Sequence, residues 1–456
     1  MKLNFNQNIF RDYDIRGVYP NDLNEDSFYI IGQSLARYFN AEEIAVGRDT
    51  RLSSPALFKA LTEGITSLGV NVVDLGLIST EINYFASGFY RFPASVIVSA
   101  SHNPPQYNGL KIVKAGVVPL HGSYGLPEIK LLAVKNQFEP ARTKGKLRKF
   151  SVMDDWIKHL LSLIDLKSIK PLKVVIDAAN GMGGITWNAL IPHLPLTVIP
   201  LYFEPDGHFP NHLPDPLVSK NLEDLKKQVR AKSADLGFAI DGDADRLFVV
   251  DDKCELVSGS LTTAMLAEHL LEKYPKSPVL YSVTCSKIVP ETIKNSGGVP
   301  LKTRVGHSYI KTEMRKHNAV FAGEHSGHFY FRDNFFADSS SLAGLLFLQY
   351  LSGKKQKLSE LRKKFDKYSS SGEINFIIDE KEKILHNLYD KYKGSRTDET
   401  DGLTIEFDDW WFNIRLSKTE PLLRLNLEAG NRDLLRQKLQ ELESLLESYG
   451  ANKKID

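Results

Sequence analysis

Residues 44–75 read IAVGRDTRLSSPALFKALTEGITSLGVNVVDL, and the alternation inside them decides the fold. Ile44-Ala45-Val46 is a short apolar strand, Gly47 to Pro55 a polar loop, and 56–68 a helix that Gly69 stops before the strand Val70 to Leu75. The unit returns at Lys173–Asp177, with the loop Ala178 to Gly184, a helix, and the strand Leu196–Leu201. It returns again at Val279–Val283, with the loop Thr284-Cys285-Ser286, a helix to about Asn295, and a strand near 299–303. Strands alternating with helices predict mostly parallel sheets covered by helices, and three copies predict three similar α/β domains. Functional loops then belong beyond the carboxyl ends of the strands. The last segment differs in kind: strands at 373–378, 403–407, 410–415 and 422–428, and helices near 380–391 and 431–448. Leu434, Leu435, Leu439, Leu442, Leu445 and Leu446 mark one buried face of the terminal helix, so a smaller α+β domain is expected there. The boundaries read as 1–150, 151–252, 253–368 and 369–456, the first drawn at the polar, Lys-rich tract 142–150.

At 456 residues the chain exceeds one core, since domains run to roughly 100–150 residues. A net charge of +2, with no Lys/Arg block, argues against nucleic acid as a partner. Cys254 and Cys285 are too few for a disulfide framework or a thiolate metal site. Met1 to Phe10 has no apolar core like a signal peptide, and no run approaches the roughly 18 apolar residues that span a bilayer. The expectation is a soluble, cytoplasmic protein without membrane partners.

Ser99-Ala100-Ser101-His102-Asn103-Pro104-Pro105 follows the β-branched run Val96-Ile97-Val98. The prolines hold the preceding residues extended, so Ser101 sits on a defined loop at a strand end, beside a His and an Asn. Such a stretch also suits an ordinary Ser/Asn turn, and it lacks the Gly-x-Ser-x-Gly elbow of an esterase.

Asp241-Gly242-Asp243-Ala244-Asp245-Arg246 lies between two apolar runs, 236–240 and 247–250. Carboxylates at alternate positions of a tight turn repel unless a cation holds them, and oxygen-only ligands indicate a hard divalent ion, Mg²⁺ before Ca²⁺. An EF-hand is ruled out: Arg246 takes the required glycine position, Asp252 the bidentate Glu position, and a strand follows. Arg246 suits a phosphate beside that metal. In Gly323-Glu324-His325-Ser326-Gly327-His328 the histidines are three apart in a glycine-flanked loop, which disfavours zinc. Glu324 and Ser326 suit adjacent sugar hydroxyls, or the loop is a plain turn. Arg415-Leu416-Ser417-Lys418-Thr419-Glu420-Pro421 makes an anion cradle for one phosphate, though a solvated basic loop would look alike.

Together these loops resemble the α-D-phosphohexomutase family, which interconverts sugar 1- and 6-phosphates. The likeness runs in order through FRDYDIRG (10–17), GRDTRLSSP (47–55), SASHNPPQYNGLKI (99–112), DAANGMGG (177–184), DGHFPNHLPDP (206–216), DGDADR (241–246), VGHSYIK (305–311), GEHSGH (323–328) and RLSKTEP (415–421). It implies three similar α/β domains and a smaller fourth around a central cleft. By resemblance Ser101 is the serine phosphorylated in the resting enzyme, and Asp241, Asp243 and Asp245 hold Mg²⁺ with a phosphoserine oxygen. Glu324 and Ser326 would grip the ring. Arg415, Ser417, Thr419 and the nearby Lys418 would hold the phosphate not being transferred. Tyr13, Arg16, His102, Asn103, Lys111, Arg246, Gly306, His307 and His328 match other active-site positions, with His102, Lys111, Arg246 and His328 closest to the chemistry.

The implied reaction passes a phosphoryl group from phosphoserine to a bound sugar phosphate, giving a hexose 1,6-bisphosphate. That intermediate turns over in the cleft and returns its other phosphoryl to Ser101. The expected partners are small sugar phosphates and the expected state is a monomer or weak homodimer. Two departures stand out: Thr284 before Cys285 where relatives carry Lys, its role lost or moved to His307, Lys302 or His328, and His325 where relatives read GEMSGH or GEQSGH. The following FYFRDNFFADSS (329–340) is closer to the phosphomannomutase branch, so mannose and glucose phosphates are the expected substrates. A phosphoglucosamine mutase, or a non-catalytic sugar-phosphate-binding relative, is the alternative.

Overall fold

The structure is a computed structural model, and it describes residues 6–378, 381–416 and 422–454. The first sheet runs, in space, Ile15–Val18, Tyr107–Lys114, Ala94–Val98, Glu43–Arg48, Asn71–Leu77 and Leu147–Lys149, with Val118–Pro119 paired on Tyr107–Lys114. The second runs Leu256–Val257, Leu247–Asp251, Leu236–Ile240, Leu172–Asp177 and Leu196–Leu201. The third runs Val299–Thr303, Pro278–Ser282, Phe321–Gly323, Phe329–Phe331 and Ala337–Asp338.

One plan underlies all three. A central strand has the next strand parallel on one side and a third parallel on the other. The third strand then folds back as an antiparallel hairpin. The turns of these hairpins are the Ser101 loop, the aspartate loop and the Glu324 loop. The sheets are therefore mixed rather than purely parallel, and the antiparallel returns carry the loops of interest. The tract 142–150, read from sequence as a polar border, contains Leu147–Lys149, which extends the first sheet beside Val72–Asp74. Its side chains are exposed and only its main chain pairs, so no apolar pattern announced it.

Helix Glu25–Phe39 starts on a reciprocal cap between Asn24 and Ser27, and Ser54–Ser67 has Pro55 in its first turn. These two cover one face of the first sheet with Phe28, Leu35, Leu57 and Leu61. The other face belongs to a core shared by the first three domains, in which Phe85 and Ile97, Trp187 and Phe238, and Phe321 and Phe347 pack as one cluster. The fourth domain is separate. Its antiparallel sheet runs Arg396–Asp398, Leu403–Glu406, Trp410–Leu416, Leu422–Ala429, Ser369–Ile377 and Asn452–Lys453. Helix Arg432–Ser448 buries Leu442 and Leu446 against it, with Leu434, Leu435, Leu439 and Leu445 partly covered, the face expected from sequence.

Polar contacts join this domain to the third. Lys302 Nζ lies 2.9 Å from both Asp398 Oδ2 and Glu406 Oε1. The Lys287 N–H donates to Glu428 Oε1 (2.9 Å), its Nζ to Phe407 O (3.2 Å), and the Val305 N–H to Asp401 Oδ2 (3.0 Å). Among the described residues no helix is long and apolar enough to cross a membrane.

Candidate active site

Ala94–Val98 is buried throughout and delivers Ser99 to Ser101 to the edge of the second domain. The loop is shaped by Arg51, whose side chain is fully buried. One guanidinium nitrogen donates to Pro104 O (2.7 Å) and Tyr107 O (3.0 Å), the other to Ser101 O (2.7 Å) and Asn103 O (2.6 Å), while Nε faces Asp49. The planar fork makes this possible, since it directs several donors in fixed directions. Ser101 itself has φ +52°, a left-handed conformation that costs a non-glycine residue roughly 1–2 kcal/mol. That strain places its hydroxyl 3.0 Å from Asp241 Oδ2 and 3.2 Å from His102 Nδ1. Gly242 allows the approach: a Cβ there would lie 2.5 Å from Ser101 O.

Asp241, Asp243 and Asp245 are all buried, with carboxylate oxygens within 4.8 Å of one another. Asp241 Oδ1 accepts the N–H groups of Asp245 and Arg246, both at 3.1 Å. Lys111 Nζ reaches in from the first domain to Asp243 Oδ2 (2.6 Å) and Asp245 Oδ2 (2.5 Å). Burial and the charges of Asp245 and Asp243 push the Asp241 carboxyl well up. Burial acts the same way on Asp243, but the Lys111 ammonium overrides it and holds that carboxyl well below the usual range. Burial works against the Lys111 charge, and the two carboxylates more than restore it. Asp243 Oδ1 and Asp245 Oδ1 are buried without hydrogen-bond partners. Orphaned oxygens in an all-carboxylate set fit a hard divalent cation, so the site is compatible with a metal ion.

The third domain docks on this cluster through a short bridge between Arg246 and His328. Arg246 Nε donates to His328 Nε2 (2.9 Å), which assigns the ring proton to Nδ1, 3.0 Å from Asp338 Oδ2. Asp338 Oδ1 is in turn 2.6 Å from the ammonium of Lys311, whose side chain is fully buried and stacks over Tyr84. Glu324 is buried next to this chain of charges and accepts from Tyr330 OH (2.6 Å) and the Gly306 N–H (3.2 Å). Ser326, two residues on, is half-buried. His325 faces away: its Nδ1 shares a hydrogen bond with Ser260 Oγ (3.0 Å), which also accepts the Ser286 N–H (3.1 Å).

The structure brings together most of the residues singled out from sequence. Arg16 reaches Asn103 Oδ1 (2.6 Å) and pairs with Asp14. Tyr13 crosses to the third domain, its OH 3.3 Å from Val305 O and its ring against Gly306, where φ is +121° and a Cβ would lie 2.6 Å from the ring. Burial and then Asp12 push the Tyr13 phenol up. His307 lies 6.5 Å, ring to ring, from His328; its Nδ1 is buried without a partner, and burial and then Lys311 keep it well below the usual imidazole range. His102 is held low by burial, then by Arg246 and Arg16.

Arg415 is engaged elsewhere, with Glu373 (2.6 Å), which also pairs with Arg424 (3.1 Å). Ser417, Lys418 and Thr419 lie outside the described residues. Lys302 is tied to the fourth domain, which removes it as a stand-in for the lysine missing at Thr284. Sequence reasoning gave no role to Arg51, Thr80, Lys311 or Asp338. Arg51 and Lys311 lie inside quoted motifs and Asp338 in the stretch after the sugar loop, so a place in those motifs was the available signal.

Three repeated α/β units and a distinct fourth, with a buried serine set on an aspartate cluster where the units meet, define a phosphohexomutase. Comparison with known proteins agrees over the whole length. Models of the phosphoglucomutase/phosphomannomutase alpha/beta/alpha domains I, II and III match residues 7–129, 154–255 and 258–368, and the C-terminal domain matches 373–444. A phosphomannomutase of Vibrio cholerae is 38% identical over 453 residues, covering 96% of this chain and 98% of that one. A phosphohexose mutase of Xanthomonas campestris is 37% identical over 441 residues, with the same coverage. A solved phosphoglucomutase/phosphomannomutase family protein from Burkholderia thailandensis superposes with a TM-score of 0.89 at 31% identity, over 98% of this chain and 99% of that one. The chain belongs to the phosphoglucomutase/phosphomannomutase family and is an isomerase of hexose phosphates. The amino-sugar alternative is not favoured by these relatives.

Proposed function

We propose that the protein interconverts the 1- and 6-phosphates of mannose and glucose, with Ser101 as the phosphoryl carrier. The observation that carries this reading is the Ser101 hydroxyl 3.0 Å from Asp241, inside a buried carboxylate set with two unpartnered oxygens. Asp241, Asp243 and Asp245, with a phosphoserine oxygen, would hold Mg²⁺. Bound there, the ion would neutralise charge on the phosphoryl oxygens.

With all three ionised, the carboxylates exceed the cations of Lys111 and Arg246 by one negative charge. A divalent ion reverses that sign, which is what a phosphoryl dianion needs. Arg246 keeps its charge at any working pH, and His328 and Asp338 fix its direction. In the forward half-reaction the Ser101 Oγ–P bond breaks as a bond from phosphorus to a sugar oxygen forms. The sugar hydroxyl proton passes to a neighbouring base, for which His307, its buried Nδ1 unpartnered, is the imidazole at hand, and the departing Ser101 Oγ takes up one proton in exchange, on the side of His102 Nδ1 3.2 Å away. The reverse half-reaction moves the other phosphoryl of the 1,6-bisphosphate back to Ser101, and the serine is ready again. Positioning does most of the work in such a transfer.

Glu324 and Ser326 grip the ring hydroxyls, with the Glu324 carboxylate pre-set by Tyr330 and Gly306. Tyr13, Arg16, Asn103, Gly306 and His307 border the same cleft. Arg415, Ser417, Lys418 and Thr419 take the phosphate not being transferred. Coupled assays on mannose 1-phosphate, glucose 1-phosphate and glucosamine 6-phosphate test the reading, each with a trace of hexose 1,6-bisphosphate. Turnover of the first two above the third is expected; a marked preference for the amino sugar overturns the substrate assignment.

A further inference from the structure

Helix Thr80–Phe89 of the first domain touches the aspartate loop at its first residue. The Thr80 N–H donates to Asp243 O (2.9 Å), and its hydroxyl donates to Asp243 Oδ2. Lys111 uses the same oxygen, so both donors sit on Oδ2 and the buried Oδ1 has no partner. The next residue, Glu81, is buried and reaches the third domain. It accepts from the hydroxyls of Ser339 and Ser341 and from the Ser341 N–H (3.1 Å). Between those two serines, Ser340 donates to Ala244 O (2.8 Å), in the aspartate loop itself. Asp338, immediately before them, orients His328. These polar contacts converge on one junction of three domains, and every residue that makes them is buried.

We propose that Thr80 is a positioning residue for Asp243, turning its free carboxylate oxygen toward the divalent cation, and that the Glu81–Ser339–Ser341 latch holds Thr80 in place. The proposal rests on the reading that the three aspartates bind a divalent cation. The hydroxyl restricts rotation of the carboxylate about its last torsion, which a bare Lys111 contact on one oxygen does not. The latch supplies what Thr80 lacks, a fixed mounting: three donors from neutral groups on one buried carboxylate hold the helix start against the third domain. Ser340 then ties the loop to the same mounting from the opposite side.

Titration of the full-length protein with Mn²⁺ alone, followed by calorimetry, reads the effect without turnover. Thr80→Val keeps the shape and removes the hydroxyl. It is expected to weaken Mn²⁺ binding about tenfold or more, the usual cost of losing an outer partner of a metal ligand. Thr80→Ser is expected to bind within about twofold of the parent, since it restores the donor. Glu81→Gln is expected to weaken binding severalfold, and Ser341→Ala carries the same test should Glu81→Gln fail to fold. Unchanged Mn²⁺ affinity in Thr80→Val, whatever its melting temperature, overturns the positioning role. A parent protein that takes up no Mn²⁺, or an Asp243→Asn variant that binds it as well as the parent, overturns the cation reading instead.

Discussion

Ser101 and Asp241 lie on loops of domains that share one apolar core, whereas Arg415 lies on a domain with a core of its own. Around the serine the contacts are dry and numerous: Arg51 on four carbonyls, Lys111 between two carboxylates, Arg246 on His328. Around the fourth domain they are polar and partly wet, with Lys302 about a quarter exposed between Asp398 and Glu406. Close-packed interiors do not deform continuously, while an exposed ion pair exchanges with water at small net cost. The difference suits the proposed reaction, which asks precision of the transfer site and freedom of the side proposed to hold a phosphate while the intermediate turns round.

Breaking the precise half is expected to give the largest effects. Ser101→Ala should lower kcat by about four orders of magnitude or more, as loss of a covalent nucleophile does elsewhere, with the melting temperature unchanged. Steady-state assay and intact-protein mass spectrometry check this, and near-normal turnover would mean another phosphoryl carrier. Asp243→Asn should weaken divalent-ion affinity about a hundredfold or more, above the usual cost of an outer partner, read by metal titration of activity.

A third effect appears in stability. Burial pushes Glu81 from 4.5 up to about 7, against the hydrogen bonds of Ser339 and Ser341. A carboxyl pushed up binds its proton more tightly when folded, so its contribution is full below about 4.5 and is lost as pH rises through about 7. Denaturant melts of the parent minus those of Glu81→Gln should show that loss across this window, and a flat difference would contradict it. The smallest effect tests the loose half: Lys302→Ala should cost under about 1 kcal/mol of stability, raise KM a few-fold, and leave kcat within about twofold. A kcat loss as large as that of Asp243→Asn would show that the fourth domain is as tightly coupled as the rest.

Much of this was legible in the chain itself. The repeated strand–loop–helix pattern gave three α/β units, and the leucine spacing gave the last helix, because both follow the burial of one face. The aspartate loop was readable because alternate carboxylates demand a cation. Thr80, Glu81 and the serines 339–341 were not, since a Thr-Glu pair and a serine run look like ordinary helix starts until distant domains are superposed. Leu147–Lys149 escaped for a related reason: only its main chain is engaged. His325, an oddity within its motif, turns out to face Ser260 rather than Glu324's carboxylate partners.

Within the serine loop Arg51 grips main-chain oxygens only, so it holds the outline of the loop without using the side chains at 102 and 103. The side chains of His102 and Asn103 are thereby left for the site, the one beside the Ser101 hydroxyl and the other on Arg16. A lysine at 51 offers a single nitrogen in place of a fork and would surrender that grip. The set of the serine loop therefore resides in one fully buried side chain that belongs to a different strand–helix connection.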